Sequence, residues 1–251
     1  AVHGDVQRML MRMRSSTDAA RALSLYGASQ LDLAHHLSDE DSRAAAQARA
    51  DLLIPLIKGW ATDLGVDNAS LGIQVHGGMG FIEETGAAQH LRDARIAPIY
   101  EGTNGIQALD FIGRKVLRDQ AGTLNLLIDE ITASIEDARN SDAATNLKHA
   151  SGQLGHAIAG LKQSTATVLD RCAADGDMAQ ALATPYLRQA ALCISGWLML
   201  QSLQAVNVNT QLPDDFRTAK SKSSDFFFAQ LLPEAAFMAT QIENCKNATL
   251  H

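Results

Sequence analysis

Leu124-Asn125-Leu126-Leu127-Ile128-Asp129-Glu130-Ile131-Thr132-Ala133-Ser134-Ile135 places apolar side chains at positions 124, 127, 128, 131 and 135. Steps of three and four residues bring those positions onto one stripe of an α-helix, which turns once every 3.6 residues. This is the most regular pattern in the chain, and looser versions flank it. Leu147, Leu154, Ile158 and Leu161 make a sparser stripe, and a further helix holding Leu192, Ile194, Trp197, Leu198 and Leu200 is expected from Pro185 to about Val206. A last helical stretch runs from Phe216 to Lys246 with an interruption near Pro233, after a polar, proline-bearing loop from Asn207 to Asp215.

Towards the amino end the same period persists. Val6, Met9, Leu10 and Met13, then Leu23, Leu25, Tyr26 and Leu31, predict a helix from Asp5 to about His36. Ser38-Asp39-Glu40-Asp41 then reads as a helix start, with Ser38 as cap and Asp41 as the acidic third residue of a capping box. The helix that follows passes Leu52, Leu53, Leu56 and Ile57, is expected to kink or break at Pro55, and continues towards Gln74. After Thr103 the helical rhythm resumes through Ile106, Leu109, Phe111 and Ile112 towards Val116 and Leu117. No repeat, low-complexity tract or period-two alternation is present. The expected fold is all-α, an up-down helical bundle over residues 1–118 followed by a second helical bundle over 119–251.

Composition agrees: 46% of residues are apolar, 20% are charged and five are proline, which fits neither a disordered chain nor a loop-rich β protein. A formal charge of −7 with scattered basic residues disfavours nucleic acid as a partner. Cys172, Cys193 and Cys245 are distant and odd in number, so a disulfide framework and a zinc site are both disfavoured, and a reducing, cytoplasmic setting is the expectation. No stretch approaches the roughly 18 to 20 uninterrupted apolar residues of a membrane span. Arg8, Arg12, Arg14 and Arg21 read as a solvated cationic face of the first helix.

Seven of the eighteen glycines fall between Gly72 and Gly105, dense enough to break the helical rhythm and mark a place where backbone meets a ligand. A dinucleotide-loop reading of Gly78-Met79-Gly80 fails because position 83 is Glu83 and no strand precedes it. His35, His36 and His76 lack the partners of a metal set: adjacent histidines on a helix diverge by about 100°. Glu101 lies just before a helix start at Thr103, beside Tyr100 and between Ile99 and Ile106. A ligand that strips water from such a carboxylate makes it a stronger base towards a weakly acidic proton. The same residue also reads as a surface glutamate near a helix N-terminus.

Three strings stand in one order: Gln74-Val75-His76-Gly77-Gly78-Met79-Gly80-Phe81, Arg92-Asp93-Ala94-Arg95-Ile96, and Ile99-Tyr100-Glu101-Gly102-Thr103-Asn104-Gly105-Ile106-Gln107. Together they resemble the acyl-CoA dehydrogenase family over roughly Asp5 to Arg118, and the helices beyond look like the extra bundle of a larger subfamily. The resemblance implies that Glu101 is the base taking the α-proton of an acyl-CoA while hydride passes from the β-carbon to FAD. Gly102 and Tyr100 would then contact the thioester substrate. Gln74, Val75, His76, Gly77, Gly78 and Thr103 would touch FAD bound mainly by a neighbouring subunit, their amides at a glycine-rich helix end being suited to it. An electron-transfer flavoprotein or another acceptor and a homodimer are implied in the same way.

Many members of the family carry glutamine where Gly105 stands and arginine where Gly113 stands, with Arg114 one residue away. A side-chain contact to FAD from position 105 is therefore impossible, and an arginine role at the acyl pocket is not supported. Arg92, Asp93 and Arg95 read as a structural ion-pair and capping cluster. The amino-terminal helical and middle β domains of the family are not recognisable here, so the chain is expected to be a fragment of a longer enzyme and inactive alone. The rival reading is a non-catalytic helical interaction module on the same scaffold.

Overall fold

The computed structural model describes residues 3–140 and 145–246, and every regular element among them is helical. Helices α1 (Gly4–His36) and α2 (Glu40–Val75) form a long hairpin. Three connecting residues leave them no option but to lie antiparallel. Short elements follow: α3 (Gly78–Phe81), a 3-10 turn (Glu83–Thr85), α4 (Ala87–Ala94) and α5 (Asn104–Asp110), which widens into a π-helical stretch (Phe111–Leu117). The rest is α6 (Gly122–Asn140), α7 (Thr145–Ala174), α8 (Met178–Val208), α9 (Asp214–Phe226) with a second π stretch (Phe227–Leu231), and α10 (Glu234–Asn244). The expected all-α architecture is the one observed.

Three local expectations are corrected. The cap of α2 is Asp39, not Ser38: its carboxylate accepts from the Ser42 amide at 2.8 Å, while the carbonyls of Leu37 and Ser38 accept from Arg43. Asp39 has extended backbone and directly precedes the first helical residue, which is where a cap has to stand. Pro55 does not interrupt α2, because it is buried next to the buried Leu52, Leu53 and Leu56, whose packing offsets the roughly 3 kcal/mol cost of an internal proline. Pro185 likewise sits inside α8 rather than at its start, with Leu182, Ala183, Tyr186 and Leu187 buried on either side of it.

Every residue of α8 from Gln189 to Leu200 is buried, with α1, α2, α5, α7, α9 and α10 packed around the helix. By length and average composition α8 would pass for a membrane span, although polar residues such as Arg188, Gln189 and Gln201 keep it from being an uninterrupted apolar run. Its apolarity has another source: 67% of the apolar window is buried inside the protein, as in a helix enclosed on all faces.

Specific contacts lock the surrounding helices to this axis. The Tyr26 and Trp197 rings meet edge-on with centroids 5.3 Å apart, and Arg49 donates to the Tyr26 hydroxyl at 3.0 Å while pairing with Glu130 of α6. Phe111 lies 5.2 Å from Tyr186, whose buried hydroxyl is 2.8 Å from that of Thr165. The α1 arginines are not all solvated. Arg8 and Arg14 pair locally with Asp5 and Asp18, but Arg12 reaches across to Glu234 of α10 at 2.8 Å.

Asp18 fastens α1 to α9. It accepts from the Ser223 hydroxyl at 2.8 Å and lies 3.1 Å from the Lys220 ammonium, while the Ser15 hydroxyl donates to the Ser223 carbonyl at 2.8 Å. Burial pushes the Asp18 carboxyl up, but the hydrogen bonds from Ser223 and Lys220 and the charges of Lys220 and Arg14 outweigh it and hold the group below its ordinary value. A carboxyl lowered in the folded state contributes stability above its unfolded value and loses it as the pH falls through the folded one. Asp18→Asn is expected to reduce the unfolding free energy by about 1–2 kcal/mol at neutral pH. The difference from the parent protein should close when urea unfolding is repeated below about pH 4.

Candidate active site

Residues 95–103 leave α4 through tight turns, and the Asn104 amide closes them by donating to the Pro98 carbonyl at 3.0 Å. At the far end of this loop the backbone turns left-handed twice, with φ of +53° at Glu101 and +84° at Gly102. For glutamate that conformation costs on the order of 1 kcal/mol, so the surrounding structure has to impose it. Gly102 tolerates it, and a Cβ there would also stand 3.1 Å from Gln107 Nε2.

The restraint comes from α2. Lys58 Nζ donates to the Gly102 carbonyl at 2.6 Å and to Asn104 Oδ1 at 2.9 Å. Asn104 Nδ2 donates to the Gly59 carbonyl at 2.8 Å and to Asp63 Oδ1 at 2.7 Å, and the Thr62 hydroxyl lies within 3.1 Å of both ends of the same amide. The second Asp63 oxygen accepts from Arg188 of α8 at 2.7 Å. A strained turn at the surface is thereby tied through one asparagine to two core helices. None of Lys58, Thr62, Asp63 or Arg188 stands out in the sequence as a site residue. The available signal is the polar group at 58, 62 and 63, about one helical turn wide, in the otherwise apolar stretch from Leu52 to Val66 of α2.

What the turn presents is a carboxylate in an apolar setting. Glu101 is exposed, and among the described residues its carboxylate has no hydrogen bond or salt bridge. Around it Ile96, Ile99, Tyr100 and Ile106 are each about half exposed. Thr103 caps α5 by accepting from the Ile106 amide at 3.3 Å, which leaves its hydroxyl proton available. Arg114 is paired with Asp110 of its own helix.

Gln74 to Gly78 lies elsewhere, at the carboxyl end of α2, where Gln74 is roughly 24 Å along that helix from Lys58 at about 1.5 Å per residue. The amides of His76 and Gly77 are used by the last turn of the helix, bonding to the Gly72, Ile73 and Gln74 carbonyls, so those two are not free to meet a ligand. His76 Nδ1 is 2.8 Å from the Gly72 carbonyl. Gly77 turns the chain with φ of +61°, and Gly80 is pressed so closely on α2 that a Cβ would fall 2.2 Å from the Ile73 carbonyl oxygen. Gln74, Met79 and Phe81 remain exposed. The neighbouring cluster is structural: Arg92 makes a two-pronged pair with Glu83 at 2.8 and 2.6 Å, and Asp93 accepts from Gln89. Among the described residues no group of three or more histidine, cysteine, aspartate or glutamate side chains could hold a metal ion, and the buried Cys193 thiol is pushed up to about 12 by desolvation.

Two family models match the chain: "Acyl-CoA dehydrogenase, C-terminal domain" over residues 1–117 and "Acetyl-CoA dehydrogenase C-terminal like" over 127–251. The chain belongs to the acyl-CoA dehydrogenase family. It is 40% identical over 250 residues to 3-methylmercaptopropionyl-CoA dehydrogenase of Ruegeria pomeroyi, a match spanning 99% of this chain and 42% of the relative. It is 31% identical over 242 residues to a butyryl-CoA dehydrogenase of Syntrophomonas wolfei, spanning 92% and 38%. The chain thus spans about two fifths of the length of these dehydrogenases. An acyl-CoA dehydrogenase from Bacillus anthracis, solved as a complex with FAD, has the same fold over 94% of this chain and 41% of its own, at a TM-score of 0.74 and 20% identity.

The asparagine knot generates a prediction that does not depend on activity. Asn104→Ala leaves Asp63 and the Gly59 carbonyl without their shared donor and is expected to cost about 2–3 kcal/mol in denaturant unfolding. Asn104→Asp, which keeps the shape but places a second carboxylate against Asp63, is expected to be no better.

Proposed function

We propose that the chain forms the carboxyl-terminal part of a flavin-dependent acyl-CoA dehydrogenase that oxidises an acyl-CoA to the 2,3-enoyl-CoA, with Glu101 as the base. The observation that carries this reading is the turn itself: an unpaired carboxylate in a strained conformation that the half-buried Lys58, Asn104, Asp63 and Arg188 hold in place, in a segment with four half-exposed apolar side chains. Strain maintained at such cost points to a function for the side chain it orients.

The residues present fit FAD in a limited way. Gln74 and the Thr103 hydroxyl are free to donate, whereas residues 72–80 and 99–107 contain no lysine or arginine to meet a pyrophosphate. That supports cofactor binding mainly by other parts of the enzyme or by a neighbouring subunit. The roughly 24 Å of α2 between Lys58, which holds the turn, and Gln74 supports the two groups serving different ends or different copies of the cofactor. FAD, when bound, supplies the hydride acceptor. Glu101 takes the α-proton, and an acyl thioester lying over Ile99, Tyr100 and Ile106 would exclude the water that weakens it as a base. Gly102 allows the thioester close to the backbone. A homodimer and an electron-transfer flavoprotein as acceptor complete the reading, together with a place in fatty acid oxidation.

The test is the flavin spectrum of the intact protein mixed with a panel of saturated acyl-CoA thioesters in the absence of an acceptor. Bleaching by one chain length is expected, and Glu101→Gln is expected to slow it by at least about a hundredfold while FAD remains bound. Unchanged bleaching in that variant would remove Glu101 from the reaction, and a protein that cannot be loaded with FAD would favour the scaffold reading. Gly102→Ala, which sets a side chain at positive φ against Gln107, is expected to lower kcat/KM by at least about tenfold with FAD content unchanged.

A further inference from the structure

Among the described residues the backbones of Glu101 and Gly102 take part in a single hydrogen bond, the one from the Lys58 ammonium to the Gly102 carbonyl at 2.6 Å. The loop's own closures fall on either side of them. The Tyr100 amide donates to the Ile96 carbonyl and the Asn104 amide to the Pro98 carbonyl, each at 3.0 Å. The two left-handed residues of the loop are therefore the two with no local bond to keep them so, and one side chain from α2 supplies what the loop lacks.

Lys58 is not required for the other tasks of the knot. Asn104 Nδ2 already bonds to the Gly59 carbonyl and to Asp63 without it. Nor is the ammonium there to neutralise a carboxylate: its two acceptors are the Gly102 carbonyl and the Asn104 amide oxygen, both neutral, and it makes no salt bridge among the described residues. A charged donor bonds a carbonyl more strongly than a neutral one does. Fixing the Gly102 carbonyl fixes the peptide plane that follows it, and with it the rotation by which the turn would relax towards extended backbone. Relaxation at Glu101 swings its Cβ to a new direction, and misplacing a reacting group by about an ångström can lower a rate about a hundredfold.

We propose that Lys58 is a positioning residue for proton abstraction: its ammonium holds the turn in the left-handed form and so sets where the Glu101 carboxylate stands when it takes the α-proton. The inference rests on Glu101 being the base. In this role Lys58 touches neither the acyl-CoA nor FAD, so its loss acts on the rate of the step and not on the binding of either.

The experiment follows the limiting rate of flavin bleaching, per bound flavin, in the intact dehydrogenase with a saturated acyl-CoA that bleaches the parent and with the same thioester deuterated at its α-carbon. Lys58→Met is expected to lower that rate at least about tenfold, with the half-saturating acyl-CoA concentration within about twofold of the parent's and α-deuteration slowing the variant at least as much as the parent. Alkylating folded Lys58→Cys with 2-bromoethylamine rebuilds an ammonium of the same length and should recover most of the lost rate. Iodoacetamide, which adds a neutral amide, should not, and the parent treated with each reagent controls for Cys172, Cys193 and Cys245. A parental rate per flavin in Lys58→Met, a loss confined to flavin content or folded yield, or recovery no better with 2-bromoethylamine than with iodoacetamide would overturn the proposal. If Lys58→Met gives no folded flavoprotein, Lys58→Arg takes its place. A planar guanidinium cannot act as a point donor between the two oxygens, so the same tenfold loss is expected with flavin content unchanged, and a parental rate overturns the proposal. Glu101→Gln separates this inference from the reading beneath it. Bleaching lost there but kept in Lys58→Met removes Lys58 alone, whereas bleaching kept in Glu101→Gln, or absent from the parent, removes the base and its positioning residue together.

Discussion

Twelve consecutive residues of α8 are buried, and a helix with no polar face must be enclosed before it gains anything from folding. That requirement sets the positions of α1, α2, α5, α7, α9 and α10, all of which pack on it. It also explains why two internal prolines are tolerated, since Pro55 and Pro185 each lie among buried neighbours on helices that continue through the defect. The arrangement leaves the outer faces to the short elements between α2 and α5, where the glycines and the strained turn are found.

The turn at Glu101 depends on this frame. Its conformation is unfavourable for glutamate, and the loop contributes only local backbone hydrogen bonds. Lys58, Asn104, Asp63 and Arg188 carry the restraint inward, so that the position of one surface carboxylate is set by two helices of the core. The apolar side chains of Ile96, Ile99, Tyr100 and Ile106 in the same segment are the counterpart, each leaving about half of its surface exposed.

The sequence reveals the helices wherever one face is apolar and the other is not. The α1–α2 hairpin, α6 and the restart at Thr103 can all be read from period alone. It misleads where burial outweighs local preference, as at the two prolines, and where α8 is apolar on every side and so carries no period to mark its start. Glu101, Gly102 and Thr103 are legible because they stand together in a family string, whereas their supports are not. Lys58 lies 44 residues from Gly102 and Arg188 lies 125 from Asp63, separations at which a single sequence gives no pairing information. Ser38 and Asp39 are equally good caps by residue type, and only the backbone geometry chooses between them.

Asp63 is shared, one oxygen bonded to Asn104 beside the turn and the other to Arg188 in the later half of the chain. The two family segments, although each is matched by its own model, are thus joined by a carboxylate that uses both of its oxygens to do so. A chimera that takes its first segment from one dehydrogenase and its second from another keeps this junction only where an aspartate at 63 meets an arginine at 188, so the seam between the two segments is chemical as well as steric.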